Sequence, residues 1–206
     1  YKNMVGVIRQ PSFLFYDSNF LSTLPRQEWV NGFAEIIKHG AVLDAKLFKQ
    51  LSAISLKDLK EDKKLLTSIV RRNVELKSSV VKQDEFEQGD RKLLNFGHTI
   101  GHAIEKAHSI PHGQAVGLGI LYACKLSEVL RKFDPANTLK IKNLLQQYQL
   151  PTHIDFSNTL IDSIVKHDKK SNAVGIDFIL LDTIGKPYIE NIPLDQLKEL
   201  IAASTL

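Results

Sequence analysis

The sequence predicts a mainly α-helical domain carrying one small antiparallel hairpin, and three observations point there. Apolar residues recur at helical spacing, as in Trp29, Phe33, Ile36, Ile37 and Val42, so that one face of each segment can be buried. Asp134-Pro135, Leu150-Pro151 and Pro193 fall where helices should start or stop. Phe178–Asp182 and Tyr188–Asn191 flank a turn containing Gly185 and read as the arms of a hairpin.

In chain order, the apolar run SFLFYD within residues 5–17, bounded by Pro11 and the polar Asp17–Asn19, reads as a short strand. Helices are expected near 25–43, 46–54, 62–83, 91–107, 112–132, 135–148, 158–167 and 194–203. Pro25 suits the first turn of the first helix, because its missing N–H would be unpaired there anyway. A domain boundary is expected near residue 18, leaving 1–18 as the end of a separate unit and 19–206 as the helical one.

Composition bounds the function. With 206 residues and 43% hydrophobic content the chain can bury a core of its own. No apolar run approaches the roughly 20 residues that span a bilayer, and the expectation is no membrane partner. Cys124 is the single cysteine, so there is no disulfide framework and a reducing, cytoplasmic setting is expected. Its flanks, LYACKLSEVL, read as a buried helix face, which makes the thiol a packing group. The net charge of +4 is scattered through the chain and argues against a nucleic-acid partner.

The chemistry concentrates in KLLNFGHTIGHAIEKAHSIPHGQAVGLG, Lys92 to Gly119. His98 and His102 are four apart, so on a helix both imidazoles leave one face, a spacing that helices use for zinc. His112 follows a turn marked by Pro111 and Gly113. An HxxxH pair by itself fits a plain helix equally well; three histidines, an Asn and close glycines favour a site. Upstream, Glu35 sits among apolar neighbours in WVNGFAEIIKHG, where a lone buried charge is expensive and calls for a partner or a metal. On spacing alone Glu35 and Lys38 could be an ordinary surface pair. A zinc site with three protein ligands and an open position can be of the His2Glu type, and Glu35, His98 and His112 would fill it. Lys77, Arg91 and Asn95 combine two cations with an amide and suit an anionic, polyhydroxylated substrate.

Three segments, GFAEIIKHG, DEFEQGDRKLLNFGHTIGHAIE and HGQAVGLG, closely resemble the 3-dehydroquinate synthases. KNMVGVIRQP, FLSTLPRQE, DKK at 168–170 and FILLDTIGKPY resemble that family in the same order, so the likeness covers nearly the whole chain. The resemblance implies a two-domain homodimeric enzyme of the shikimate pathway, with NAD on an N-terminal Rossmann-like half and Zn2+ or Co2+ in a helical C-terminal half. Its reaction converts 3-deoxy-D-arabino-heptulosonate 7-phosphate to 3-dehydroquinate and phosphate.

Position by position, the resemblance implies that Glu35, His98 and His112 hold the metal. Lys38 would meet substrate hydroxyls, Lys77 and Arg91 the carboxylate or its neighbouring hydroxyls, and Asn95 and His102 the phosphate and the transferring proton. One of Lys169 and Lys170 would add charge for the phosphate. His102 thereby becomes a substrate-side group rather than a ligand. Lys2, Phe20, Leu21, Ser22 and Thr23 match segments that touch NAD. Gln114 departs from the family, standing where many members have Glu beside a ligand. The glycine-rich nucleotide loop is expected upstream of Tyr1, so residues 1–206 alone are expected to be inactive. The alternatives are another NAD- and metal-dependent sugar-phosphate cyclase, such as a 2-deoxy-scyllo-inosose synthase, or a metal-dependent polyol dehydrogenase.

Overall fold

A computed structural model describes residues 5–7, 9–154 and 175–203. Eight helices and one hairpin are present among them: α1 Arg26–Val42, α2 Ala45–Ser52, α3 Leu56–Glu61, α4 Lys63–Gln83, α5 His98–His108, α6 His112–Arg131, α7 Pro135–Gln147, β1 Gly175–Thr183, β2 Lys186–Pro193 and α8 Leu194–Ala203. Lys2, Lys169, Lys170 and the helix expected at 158–167 lie outside the described residues.

The centre of the fold is α6, whose residues are buried over almost every face from Gly113 to Ser127. One side of it, with Val116, Ile120 and Cys124, joins a core built on Phe33, Ile37 and Ala41 of α1, and on Leu51, Leu59, Ile69 and Tyr148. The other side, with Leu118, Tyr122 and Leu126, packs on Ile100 and Ile104 of α5 and on Phe178, Leu180, Ile192, Leu197 and Ile201. A helix covered all round must be apolar all round, which explains its long run without charge.

Local chemistry sets the ends. Asp44 accepts from the amides of Lys46 and Leu47 to start α2, and Asp62 does the same for α4 with Lys64 and Leu65. Ser55 and Asp58 form a reciprocal capping box that starts α3. At Asp134-Pro135 the carboxylate caps α7, as expected. The hairpin pairs Phe178 with Glu190 and Leu180 with Tyr188, and Gly185 turns at φ +84°.

Three expectations are corrected. Residues 9–17 form no strand; Phe13 and Phe15 are 81% and 79% exposed, and no ladder partner lies alongside among the described residues. Alternating apolar character makes a strand only when a neighbouring strand takes its hydrogen bonds. The single helix expected over 91–107 is two elements, a 3-10 turn at Asp90–Asn95 and then α5. Gly97 separates them at φ +79°, and a Cβ there would stand 2.7 Å from the Ile120 amide nitrogen. Finally α3 was not expected, because six residues are too few to show a period, although Ser55-x-x-Asp58 carries the capping signature.

Candidate metal centre

Glycine packing brings the site together. A Cβ on Gly113 would lie 2.4 Å from the Asn31 Cα, so the start of α6 rests on α1; a Cβ on Gly119 would lie 2.0 Å from the Gly97 carbonyl oxygen, locking α5 on α6. His112 is the first residue of α6, His98 the first of α5, and Glu35 lies mid-way along α1. Their side chains converge from three helices.

The Glu35 Oε1 atom stands 3.5 Å from His98 Nε2 and 3.9 Å from His112 Nε2. It is shielded from solvent and accepts no hydrogen bond. The partners at Nδ1 set the tautomer of each neutral imidazole. His98 Nδ1 is 3.3 Å from the Phe96 carbonyl and His112 Nδ1 is 2.9 Å from Glu105 Oε2. Both partners can only accept, so each ring carries its proton on Nδ1 and turns a bare Nε2 toward Glu35. Three lone-pair donors facing one another around a common point repel unless a cation lies between them. Ligand atoms about 2 Å from a tetrahedral zinc stand about 3.3 Å apart, close to the separations seen. The donor set fits a divalent metal of the zinc or cobalt kind.

Lys38 lies on the other side of the carboxylate, donating from Nζ to Glu35 Oε2 at 2.6 Å, with a side chain only 3% exposed. Burial alone would raise the Glu35 carboxyl, but Lys38, His98 and His39 outweigh it and hold it below its ordinary value. Burial, then the neighbouring Lys38, pushes His98 down to about 4, which keeps the imidazole neutral and able to ligate. Lys38 itself is lowered by burial, opposed by Glu35 and assisted by the charge of Lys77. Lys77, exposed on α4, is thus close enough to act on the site electrostatically.

His102 is exposed on α5 beside the other two rings, its centroid 5.3 Å from that of His98 and 5.7 Å from that of His112. Its Nδ1 is 3.4 Å from Glu105 Oε2. Arg91 and Asn95 engage the preceding loop instead: Arg91 donates to the Glu85 carbonyl and Asn95 to the Glu87 carboxylate. Asn95 also lines a cavity of about 190 Å³ with Glu87, Lys92, Asp177 and Ile179. Leu21 and Ser22 line a separate cavity of about 380 Å³ with Trp29, Lys60 and Lys63, whereas Phe20 and Thr23 are exposed.

Two participants were given no role from the sequence. Glu105 lies three residues beyond His102 and seven beyond His98, the same helix face, and that spacing was the available signal. His39 is buried and its Nδ1 lies 2.6 Å from Asn73 Oδ1 of α4; no local pattern announces a pairing 34 residues apart.

Comparison with known proteins supplies the family. The 3-dehydroquinate synthase C-terminal family matches residues 32–171. A 3-dehydroquinate synthase of Thermodesulfovibrio yellowstonii is 38% identical over 97% of this chain and 57% of its own length. That of Listeria welshimeri is 40% identical over 91% and 53%. The chain therefore spans a little over half the length of these relatives. Among solved structures, a 2-deoxy-scyllo-inosose synthase complexed with carbaglucose-6-phosphate, NAD+ and Co2+ superposes with a TM-score of 0.78 at 28% identity, covering 99% of this chain and 59% of that one. A 2-epi-5-epi-valiolone synthase from Streptomyces hygroscopicus, with NAD+ and Zn2+ bound, shares the fold at 23% identity and a TM-score of 0.78, over 91% of this chain and 54% of its own. The family match, over more than half of its residues, shows that the chain belongs to the 3-dehydroquinate synthase C-terminal family.

Proposed function

We propose that this chain is the metal- and substrate-binding part of a 3-dehydroquinate synthase, a lyase that takes 3-deoxy-D-arabino-heptulosonate 7-phosphate to 3-dehydroquinate and phosphate. The observation that carries the reading is the Glu35 Oε1 atom, buried and unpaired between two bare imidazole nitrogens, in a chain of that family. Glu35, His98 and His112 would hold one Zn2+ or Co2+, and NAD would serve as the redox cofactor. When bound, the metal supplies Lewis-acid stabilisation of alkoxide charge on substrate oxygens.

The chain's own groups divide the remaining work. Lys38 keeps the Glu35 carboxylate ionised and turned toward the imidazoles, and its ammonium is within reach of hydroxyls bound there. Lys77 adds positive charge that draws an anionic sugar phosphate. His102, exposed and with Nδ1 facing Glu105, offers Nε2 to a transferring proton. Arg91 and Asn95 would exchange Glu85 and Glu87 for the substrate's carboxylate and phosphate. One of Lys169 and Lys170 would join them, and Lys2 with Phe20 to Thr23 would border the dinucleotide. A homodimer in the cytoplasm completes the proposal; the single cysteine suits a reducing compartment.

A phosphate-release assay on the full-length protein with zinc or cobalt tests it: turnover is expected for wild type and its loss for Glu35→Ala. The likeness to an inosose synthase at 28% identity favours one second reading, a cyclase acting on a carboxylate-free sugar phosphate. Turnover of such a substrate in preference to the heptulosonate would establish it. Net accumulation of NADH would instead mark a polyol dehydrogenase.

A further inference from the structure

We propose that Glu105 is a positioning residue for the metal centre: it acts through His112, holding that imidazole in the tautomer and orientation that aim Nε2 at Glu35. This inference rests on the metal reading above.

Glu105 lies on α5 and His112 opens α6, so the carboxylate ties a ligand to the neighbouring helix across the turn at Ser109–Pro111. Glu105 Oε2 lies 2.9 Å from His112 Nδ1, a hydrogen-bond distance. The His112 side chain is 43% exposed, with the His98 and His102 rings 5.5 and 5.7 Å away by centroid, and Glu105 is the group that hydrogen-bonds its Nδ1. His98 differs, being 15% exposed and oriented by the Phe96 carbonyl. Without Glu105 the His112 ring loses the acceptor that keeps its proton on Nδ1, and a proton on Nε2 would block ligation. A carboxylate on Nδ1 also makes Nε2 a stronger donor.

The same Oε2 atom lies 3.4 Å from His102 Nδ1, so one oxygen orients both the ligand and the substrate-side histidine. His102, Glu105 and His112 could alternatively be read as a second ligand set. The 2.9 Å approach of Oε2 to Nδ1 is closer than the roughly 3.3 Å between two ligands of one tetrahedral ion, and suits a shared proton.

The test is zinc affinity of the metal-stripped full-length protein, measured by chelator competition, together with the visible absorption spectrum of its Co2+ form. Glu105→Ala is expected to weaken zinc binding about 10–100-fold and to shift the cobalt bands. Glu105→Gln, whose amide oxygen still accepts from Nδ1–H, should recover part of the affinity, while Lys106→Ala on the same turn should match wild type. If Glu105→Ala fails to fold, Glu105→Gln still decides, since loss of the carboxylate charge should leave a several-fold weaker site. Wild-type affinity and an unchanged cobalt spectrum in a folded Glu105 variant would overturn the proposal. So would two zinc ions per chain reduced to one by Glu105→Ala, since Glu105 would then be a ligand. Failure of the wild type to bind zinc would overturn the metal reading and this inference with it, a result distinct from zinc binding that ignores Glu105.

Discussion

Gly113 and Asn31 touch backbone to backbone: a Cβ on the glycine would stand 2.4 Å from both the Cα and the carbonyl oxygen of Asn31. That contact seats the first turn of α6 on α1, four residues before Glu35, and so carries His112 to the carboxylate. Gly113→Ala has no rotamer with which to escape, because the obstacle is main chain. The expected outcome is roughly 1–3 kcal/mol of destabilisation together with weaker zinc binding. Parallel thermal melts with and without zinc would show it, and a variant indistinguishable from wild type in both would remove the contact from the account.

The ligand set makes a sharper prediction. Glu35→Ala, His98→Ala and His112→Ala should each lose stoichiometric zinc, whereas His102→Ala should keep it and lose turnover. A fourth protein ligand would close the coordination position that substrate oxygens need. Metal analysis of the four purified variants decides between the roles, and zinc loss in His102→Ala equal to that in His98→Ala would reverse them. In the wild type, zinc at about a hundred times its dissociation constant should add about 2.7 kcal/mol to stability, which EDTA should remove.

Glu35, His98 and His112, which the structure brings together, were legible because each broke a local pattern. Glu35 is a charge in an apolar stretch, and His98 and His112 open segments marked by glycine or proline. Spacing offered Lys38 only as an ordinary surface partner of Glu35, and its burial against that carboxylate appears only once α1 is packed on its neighbours. Glu105 was passed over for a different reason: despite its spacing from His98 and His102, a carboxylate in the last turns of a helix looks like surface until α6 folds back and presents His112 to it. Asn95 and Arg91 show the converse. Both were expected on one helix over 91–107 with His98, yet Gly97 interrupts that helix and leaves both side chains with the acidic loop. The same blindness to neighbours explains the strand expected within residues 5–17.

Residues 1–206 by themselves are expected to assemble the metal site and to show no synthase activity. Glu35, His98 and His112, the proposed ligands, all lie on helices of the unit whose two core clusters share α6. The matched relatives are nearly twice as long, and a dinucleotide's pyrophosphate needs a glycine-rich loop at a helix N-terminus, which this chain does not contain. Titration calorimetry should find zinc binding with very weak NAD binding, and a phosphate-release assay should stay at background. Micromolar affinity for NAD, or turnover by this chain alone, would refute the division of labour.

His39 sets a pH dependence of stability separate from metal binding. It is 2% exposed, and burial first, then the charge of Lys38, lowers it from 6.5 to about 4, although Asn73 and Glu35 partly oppose the shift. In the unfolded chain the imidazole takes a proton near pH 6.5; in the folded protein it resists until about pH 4. Between those values the unfolded state binds more protons, so stability falls as pH drops through that window. His98 contributes in the same direction, and Glu35 only nearer its own carboxyl range. Replacing His39 with Gln keeps a group able to pair with Asn73 and removes one titration. In metal-free protein, the stability lost between pH 7 and pH 5 should therefore be smaller in His39→Gln than in wild type, by about 2 kcal/mol. Urea denaturation at the two pH values measures the difference directly, and equal losses in the two proteins would mean that His39 is not held neutral by its burial.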